Sequence, residues 1–408
     1  VAPIPLAEAA SWDLDAIKRS AQIAADEAAA VGINWTFAPM VDISRDARWG
    51  RVMEGAGEDT YLGMQIAKAR VKGFQGDDLT SNNTIAACAK HFAGYGFAEA
   101  GRDYNTADFG TSTLFNTVLP PFKAAVDADV KTVMNGFNVL NGVPVTGDSY
   151  LQRDILKEKW GFDGFVISDW ASIGELVPHG FAENLAQAAE IAANAGSDMD
   201  MEATAYVTHL ADKVKAGKVS ESHIDDAVRR ILTVKYELGL FDDPYRYCNA
   251  QREKERLNHK EHHAGVLDMA KKSIVLLKNE GNLLPFKKNQ PKIAVIGELA
   301  NDNNSPLGSW RLGSDNNTAV SVLEGLKKFS SNIAYARGPK VFDPEASFLN
   351  HVKINESDET GMNEAVALAK ESDVVLIVLG EHGFQSGEGR SRTKLGLPGL
   401  QLKLLQEV

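Results

Sequence analysis

The chain has 408 residues, of which 44% are hydrophobic and 24% charged, and a formal net charge of −12. That length suits two domains with sizeable cores. The acidic balance argues against nucleic acid or an anionic membrane as the main partner and favours a neutral ligand.

In chain order, the first apolar run is 35–41, closed by Asp42. A helix is expected after Glu58, with Leu62, Ile66 and Ala69 on one face. Further apolar runs follow at 84–92, 130–137 and 165–168, with a weaker one at 197–201. Helical patterns lie between them near 113–127, 149–160 and 183–195. The clearest helix is 222–239, with Ile224, Ala227, Val228, Ile231, Leu232 and Leu238 on one face and Gly239 as its stop. Strands alternating with helices predict parallel strands joined by crossovers. Continuous apolar runs predict strands buried on both faces. A (β/α) barrel and an open doubly wound sheet both fit this pattern. Asp42, Lys90 and His91, Asn135 and Asp169 all fall at the C-terminal ends of runs. In a barrel those ends share one rim, and that favours a barrel over 1–240.

Residues 241–260 begin with the breaker Asp242-Asp243-Pro244 and turn highly charged, which predicts a linker. A helix resumes at 262, followed by a short strand at 273–277. Residues 292–297 and 374–380 read as buried strands, with helices near 319–329 and 363–370. The span 261–408 is thus a second α/β unit. The first unit shows fewer runs than a full barrel needs, and the second stops in mid-helix. The expectation is a barrel truncated at its N-terminus and a second domain truncated at its C-terminus. No secretory signal is visible, and because the chain starts at Val1 rather than Met, an upstream segment is expected to have been removed or omitted. No apolar stretch reaches the roughly 18 residues of a membrane span. Two cysteines, Cys88 and Cys248, make no disulfide framework. Cys88 reads as a core residue.

Asp169 is the sharpest candidate for chemistry. It ends a fully apolar run, where a carboxylate is unfavourable unless paired or used. Trp170 beside it offers a flat apolar face suited to a sugar ring. A helix N-cap is an equal reading of Asp169 on residue type alone. Lys90 and His91 offer two adjacent donors at the rim, or a solvated pair. The segment 44–51 places Arg45, Arg48 and Arg51 around Trp49, either to hold a planar partner or to pair with Glu54, Glu58 and Asp59. Glu388 lies between Gly387 and Gly389 in a flexible loop, where composition alone favours an ordinary exposed residue. No phosphate-binding glycine pattern, zinc motif or nucleophile elbow is present, and His259, His262 and His263 do not match a metal motif.

With these residues in view, the chain resembles glycoside hydrolase family 3, in its bacterial periplasmic β-glucosidase branch. The resemblance runs over nearly the whole chain. It rests on motifs in order: Phe37-Ala38-Pro39-Met40-Val41-Asp42, Ser44-Arg45-Asp46 with Arg48-Trp49-Gly50-Arg51, Gly57-Glu58-Asp59, Ala89-Lys90-His91-Phe92, Gly101-Arg102-Asp103-Tyr104-Asn105, Gly164-Phe165-Val166-Ile167-Ser168-Asp169-Trp170 and Ser386-Gly387-Glu388-Gly389. It implies a barrel followed by an α/β sandwich with the active site between them, and a retaining mechanism through a covalent glycosyl-enzyme. It implies Asp169 as nucleophile and Glu388 as acid/base. It implies that Arg51, Lys90 and His91 hold the hydroxyls of the terminal sugar, with Trp170 and Met134 at the pocket. Retention needs one carboxyl ionised to attack and one protonated to assist departure, and cations at Lys90 and Arg51 suit the first.

The resemblance also implies no cofactor, no metal, a β-linked oligosaccharide or glucoside as substrate, and a periplasmic or secreted location. An upstream Gly-Asp and His-Gly segment usual in the family would lie before Val1. N-acetylglucosaminidase relatives carry Lys-His-Phe-Pro-Gly-His-Gly where this chain has Lys90-His91-Phe92-Ala93-Gly94-Tyr95-Gly96, which argues against that branch. A β-xyloside substrate and a non-catalytic sugar-binding fragment stay open as alternatives.

Overall fold

In the computed structural model, which describes residues 2–286, 292–343 and 345–408, the apolar runs become short parallel strands. The chain divides into two units, Ala2–Ile274 and Val275–Val408.

In the first unit, β1 (Cys88–Phe92), β2 (Thr132–Asn135) and β3 (Phe165–Ile167) form a parallel sheet in the order β1-β2-β3. Single parallel bridges extend it on both sides. Trp35 pairs with Ala86 and Met40 with Lys90 beside β1, and Met199 pairs with Ile167 beyond β3. All five expected runs therefore lie side by side in chain order. Every residue of β2 and β3 is buried, which is why these strands read as unbroken apolar runs rather than alternating ones.

The surrounding helices carry their own punctuation. Asp13 caps Leu14–Ala30 by accepting from the Ala16 N–H, and Asp59 caps Thr60–Gln75 through the Leu62 N–H. Gly73 lets these two helices approach closely: a Cβ there would stand 2.6 Å from both the Ala21 Cβ and the Lys18 carbonyl oxygen. Gln75, at the end of its helix, is buried between two strands. Its carbonyl oxygen accepts from the Ala87 N–H at 3.2 Å and the Lys131 N–H at 3.0 Å, and its amide donates to the Asp129 carbonyl at 2.7 Å. One side chain thus satisfies backbone groups at the starts of two neighbouring strands.

Three features differ from the sequence reading. The helix Glu221–Glu237 turns Val234 inward, with Leu238 just past its end and Ile231 partly buried, while Val228 and Leu232 are exposed at 49% and 44%. The apolar stripe is 224, 227, 231, 234 and 238, and the other two lie one position off it. Residues 241–260 and the helix after them, expected as a linker and the start of the second unit, fold with the first unit. The helices Ala250–Arg256 and Lys260–Lys272 pack on Leu14–Ala30. Met269 joins Ile17 and Ile66 in a small core, Arg256 pairs with Asp26, and His262 sits 3.0 Å from Asp26 and 2.9 Å from Glu27. Residues 273–277 form no strand; Ile274, Val275, Leu276 and Leu277 are exposed, because no described strand lies alongside to complete a ladder.

In the second unit, β4 (Ile293–Ile296) is flanked by β5 (Ile333–Ala336) and β6 (Val374–Ile377), all parallel. Alternate residues of β4 face opposite sides. Ala294 and Ile296 pack with Met362 and Ala365, whereas Ile293 and Val295 pack with Leu323. The expected helices, observed as Val322–Lys327 and Met362–Lys370, therefore cover opposite faces, the three-layer arrangement of a doubly wound unit. Ser321 and Glu324 close the first of them with a reciprocal capping box.

Candidate active site

The C-terminal ends of the first unit's strands gather most of the sequence candidates. β1 delivers Lys90 and His91. Its pairing with β2 skips a residue: Lys90 lies opposite Met134 and Phe92 opposite Asn135, so His91 is the unpaired residue of a bulge. Bulges re-aim a side chain, and here the ring is fully buried among charged groups. Its backbone N–H donates to Asp42 Oδ2 at 2.9 Å, and its Nδ1 lies 2.8 Å from the same oxygen. Its Nε2 is 3.5 Å from Asp169 Oδ2 and has no hydrogen-bond partner among the described residues.

Asp169 follows β3 directly and is 8% exposed. Its Oδ1 accepts from the Trp170 N–H at 2.7 Å, and its carbonyl accepts from the Ser172 N–H at 3.1 Å. Ser168 accepts from the Met201 N–H, and the Ala171 N–H donates to the Met201 carbonyl, so the turn that carries Asp169 is tied to the next stave. Trp170 is 62% exposed.

The short helical turn Gly50–Glu54 supplies Arg51, which is 1% exposed. Glu54 holds it through two bonds, 2.8 Å from Nε and 3.1 Å from an Nη, and lies 3.8 Å from Lys90 Nζ. A fork-to-fork pair of this kind fixes the guanidinium plane. The Arg51 guanidinium also stands over the Tyr95 ring at 5.6 Å. Met134 is buried in β2, between Lys90 of β1 and Ile167 of β3. Asn135 is spent on structure: it donates to Ser197 and accepts from Thr146.

The electrostatics follow from burial. Desolvation pushes the Asp42 carboxyl up to about 7, against the His91 backbone donor and the charge of Arg51, which lower it. Burial and the charges of Arg51 and Lys90 drive His91 well below the usual imidazole value, which favours the neutral ring. Glu175, on the Ser172–Glu175 turn after Asp169, is pushed up to about 6 by burial and then by the charge of Asp169.

Glu388 belongs to the second unit, half-buried in the loop after β6. That loop is better fastened than its glycines suggest. Arg390 donates to the carbonyls of Phe348 and Asn350 at 2.8 and 2.7 Å, the His382 ring packs tilted against Phe342 with centroids 4.2 Å apart, and the Arg311 guanidinium covers Phe384.

The first unit thus brings Asp169, His91, Lys90 and Arg51 to one end of its strands. Sequence reasoning named Asp42 only as a rim residue, gave Glu54 no ligand-orienting task and passed over Glu175. The one available signal was position: Asp42 ends its run as Asp169 does.

Comparisons with known proteins identify the family of the chain. Residues 1–234 match the family model described as glycosyl hydrolase family 3 N terminal domain, and residues 274–408 match its C-terminal domain. A periplasmic beta-glucosidase of Salmonella typhimurium is 40% identical over 99% of this chain and 54% of its own length. A beta-xylosidase of Formosa agariphila is 36% identical over 100% of this chain and 57% of its own. Among solved structures, the beta-glucosidase from Listeria innocua in complex with glucose superposes with a TM-score of 0.92 at 37% identity, covering 100% of this chain and 54% of that one. The chain spans about half the length of the curated relatives it matches.

Proposed function

This chain belongs to glycosyl hydrolase family 3, and we propose that the protein built on it is an exo-acting retaining β-glucosidase. Asp169 is the nucleophile: its carboxylate attacks the anomeric carbon of a terminal β-glucosyl residue. Glu388 is the acid/base, giving its proton to the departing oxygen and later taking one from the water that releases glucose. Arg51, Lys90 and His91 hold the sugar hydroxyls, Trp170 stacks on the ring, and Met134 backs the pocket. The staves of the first unit are an arc of a (β/α) barrel spanning 1–240, and the second unit is part of an α/β sandwich; both belong to a longer protein. No cofactor or metal enters this chemistry. Among the described residues no helix is long and apolar enough to cross a membrane, and the periplasmic relative supports a periplasmic or secreted location.

The observation that carries this reading is the surroundings of Asp169. A buried carboxylate at a strand end faces a neutral histidine and shares its rim with an arginine whose plane is fixed by Glu54. The test is release of p-nitrophenol from its β-glucoside by the purified protein beside Asp169→Ala. Release by the parent and none by the variant supports the reading; equal release by both sinks it. A β-xyloside substrate is the second reading, favoured by the xylosidase relative that aligns with the full chain. Parallel assays on the two aryl glycosides separate them.

A further inference from the structure

Asp42 takes no part in bond making as proposed, yet it is 2% exposed and its Oδ2 faces two nitrogens of the same residue. The bridge between Met40 and Lys90 sets the Asp42 stave against β1, and the bulge at His91 turns the ring between two carboxylates. Asp42 lies 2.8 Å from Nδ1, and Asp169 lies 3.5 Å from Nε2. A neutral imidazole has one N–H, so only one of these carboxylates receives it. The shorter contact is a full hydrogen bond, and the longer is at the edge of one.

Resting on the reading of Asp169 as nucleophile, we propose that Asp42 is a positioning residue that fixes His91 as the Nδ1–H tautomer and leaves Nε2 a bare acceptor beside Asp169. A bare Nε2 accepts a hydrogen bond from a substrate hydroxyl. It also leaves Asp169 without a histidine donor, which would stabilise the carboxylate's charge and blunt its attack. The opposite tautomer would donate to Asp169 and present the sugar with no acceptor at that position. The competing arrangement puts the proton on Asp42 instead, donating to Nδ1, and burial of that carboxyl, pushed up to about 7, makes this the arrangement to test against.

The geometry separates two substitutions. Because the oxygen that meets Nδ1 also accepts the His91 backbone N–H, an asparagine must present its own oxygen there. Asp42→Asn therefore keeps the Nδ1–H tautomer. Asp42→Leu, similarly branched though larger and apolar, removes the acceptor and releases the ring to the Nε2–H form.

The experiment is nitrogen-15 NMR of histidine-labelled protein, with kcat and KM on the aryl β-glucoside and thermal unfolding of each variant. The expected result is a protonated Nδ1 on His91 in the parent and in Asp42→Asn, a switch in Asp42→Leu, and a fall in kcat of about 100-fold for the leucine variant but under about 10-fold for asparagine. A protonated Nε2 in the parent overturns the proposal whether or not the variants fold. So does a leucine variant that folds with tautomer and kcat unchanged. If the parent cleaves no glucoside, the proposed activity fails while the tautomer still decides the role of Asp42.

Discussion

The two units treat the charged groups around their parallel strands in different ways. In the first, polar and charged groups at and around the strands are buried and committed to one another: the neutral His91 with Asp42, and the ion pairs Arg51 with Glu54 and Lys157 with Asp198. In the second, ion pairs such as Lys292 with Glu371 and Lys403 with Glu359 stand in water. Its loop after β6 is fastened in part through backbone carbonyls that accept from Arg390. Charges that cannot be rehydrated act as a fixed field with little reorganisation, whereas exposed ones are screened and add little. The first unit is therefore the one whose strand-end charges are held still.

The largest effect expected from breaking that difference is on Asp169. Asp169→Ala should lower kcat on an aryl β-glucoside by about 10⁴-fold or more, since a lost nucleophile leaves only binding and field effects. Steady-state assay checks this against an unchanged circular dichroism spectrum. Next comes Glu388→Ala. Turnover of a glucoside with a basic leaving group should fall by about 10²–10⁴-fold, the range for a lost general acid. With a dinitrophenyl leaving group the first step should be nearly spared, and added azide should yield a β-glucosyl azide by replacing the water that Glu388 activates.

A third comparison concerns stability alone. Lys157→Met strands the Asp198 carboxylate, whose remaining partner is the Val166 N–H at 2.8 Å, and should destabilise by about 3 kcal/mol, as expected for one half of a buried pair. Lys292→Met in the second unit removes an exposed pair and should change stability by less than about 0.5 kcal/mol. Urea unfolding followed by tryptophan fluorescence measures both, and equal shifts would erase the contrast.

The smallest expected effect is a titration. Glu175 is raised to about 6 by burial first and Asp169 second. Since its folded value is raised, its contribution to stability is full below the unfolded midpoint of about 4.3 and is lost as pH rises through the folded one. Asp169→Asn removes the neighbouring charge and should lower the Glu175 midpoint in a carbon-13 NMR titration. An unmoved midpoint would mean that burial alone sets it.

Much of this was legible in the sequence, and what was not had physical reasons. The buried parallel strands announce themselves as unbroken apolar runs, and the helices of the second unit appear close to their expected places. Residues 273–277 carry every strand signal but lack a neighbour, and a strand is a property of pairing rather than of one segment. The helix Lys260–Lys272 was read into the second unit because its attachment, through Arg256, His262 and Met269, lies on residues some 230 positions earlier. Position at run ends placed Asp169, Lys90 and His91 on one rim, where the structure brings them together. The work of Asp42 and Glu54 depends on which side chain each one faces, and no local pattern states that.

Gln75 holds the starts of β1 and β2 far along each strand from the ends that carry Lys90, His91 and Asn135. Its amide asks nothing of the residues at the other end. Substitutions at the strand ends can therefore change the rim while the fastening at the starts, and with it the register of β1 against β2, stays in place.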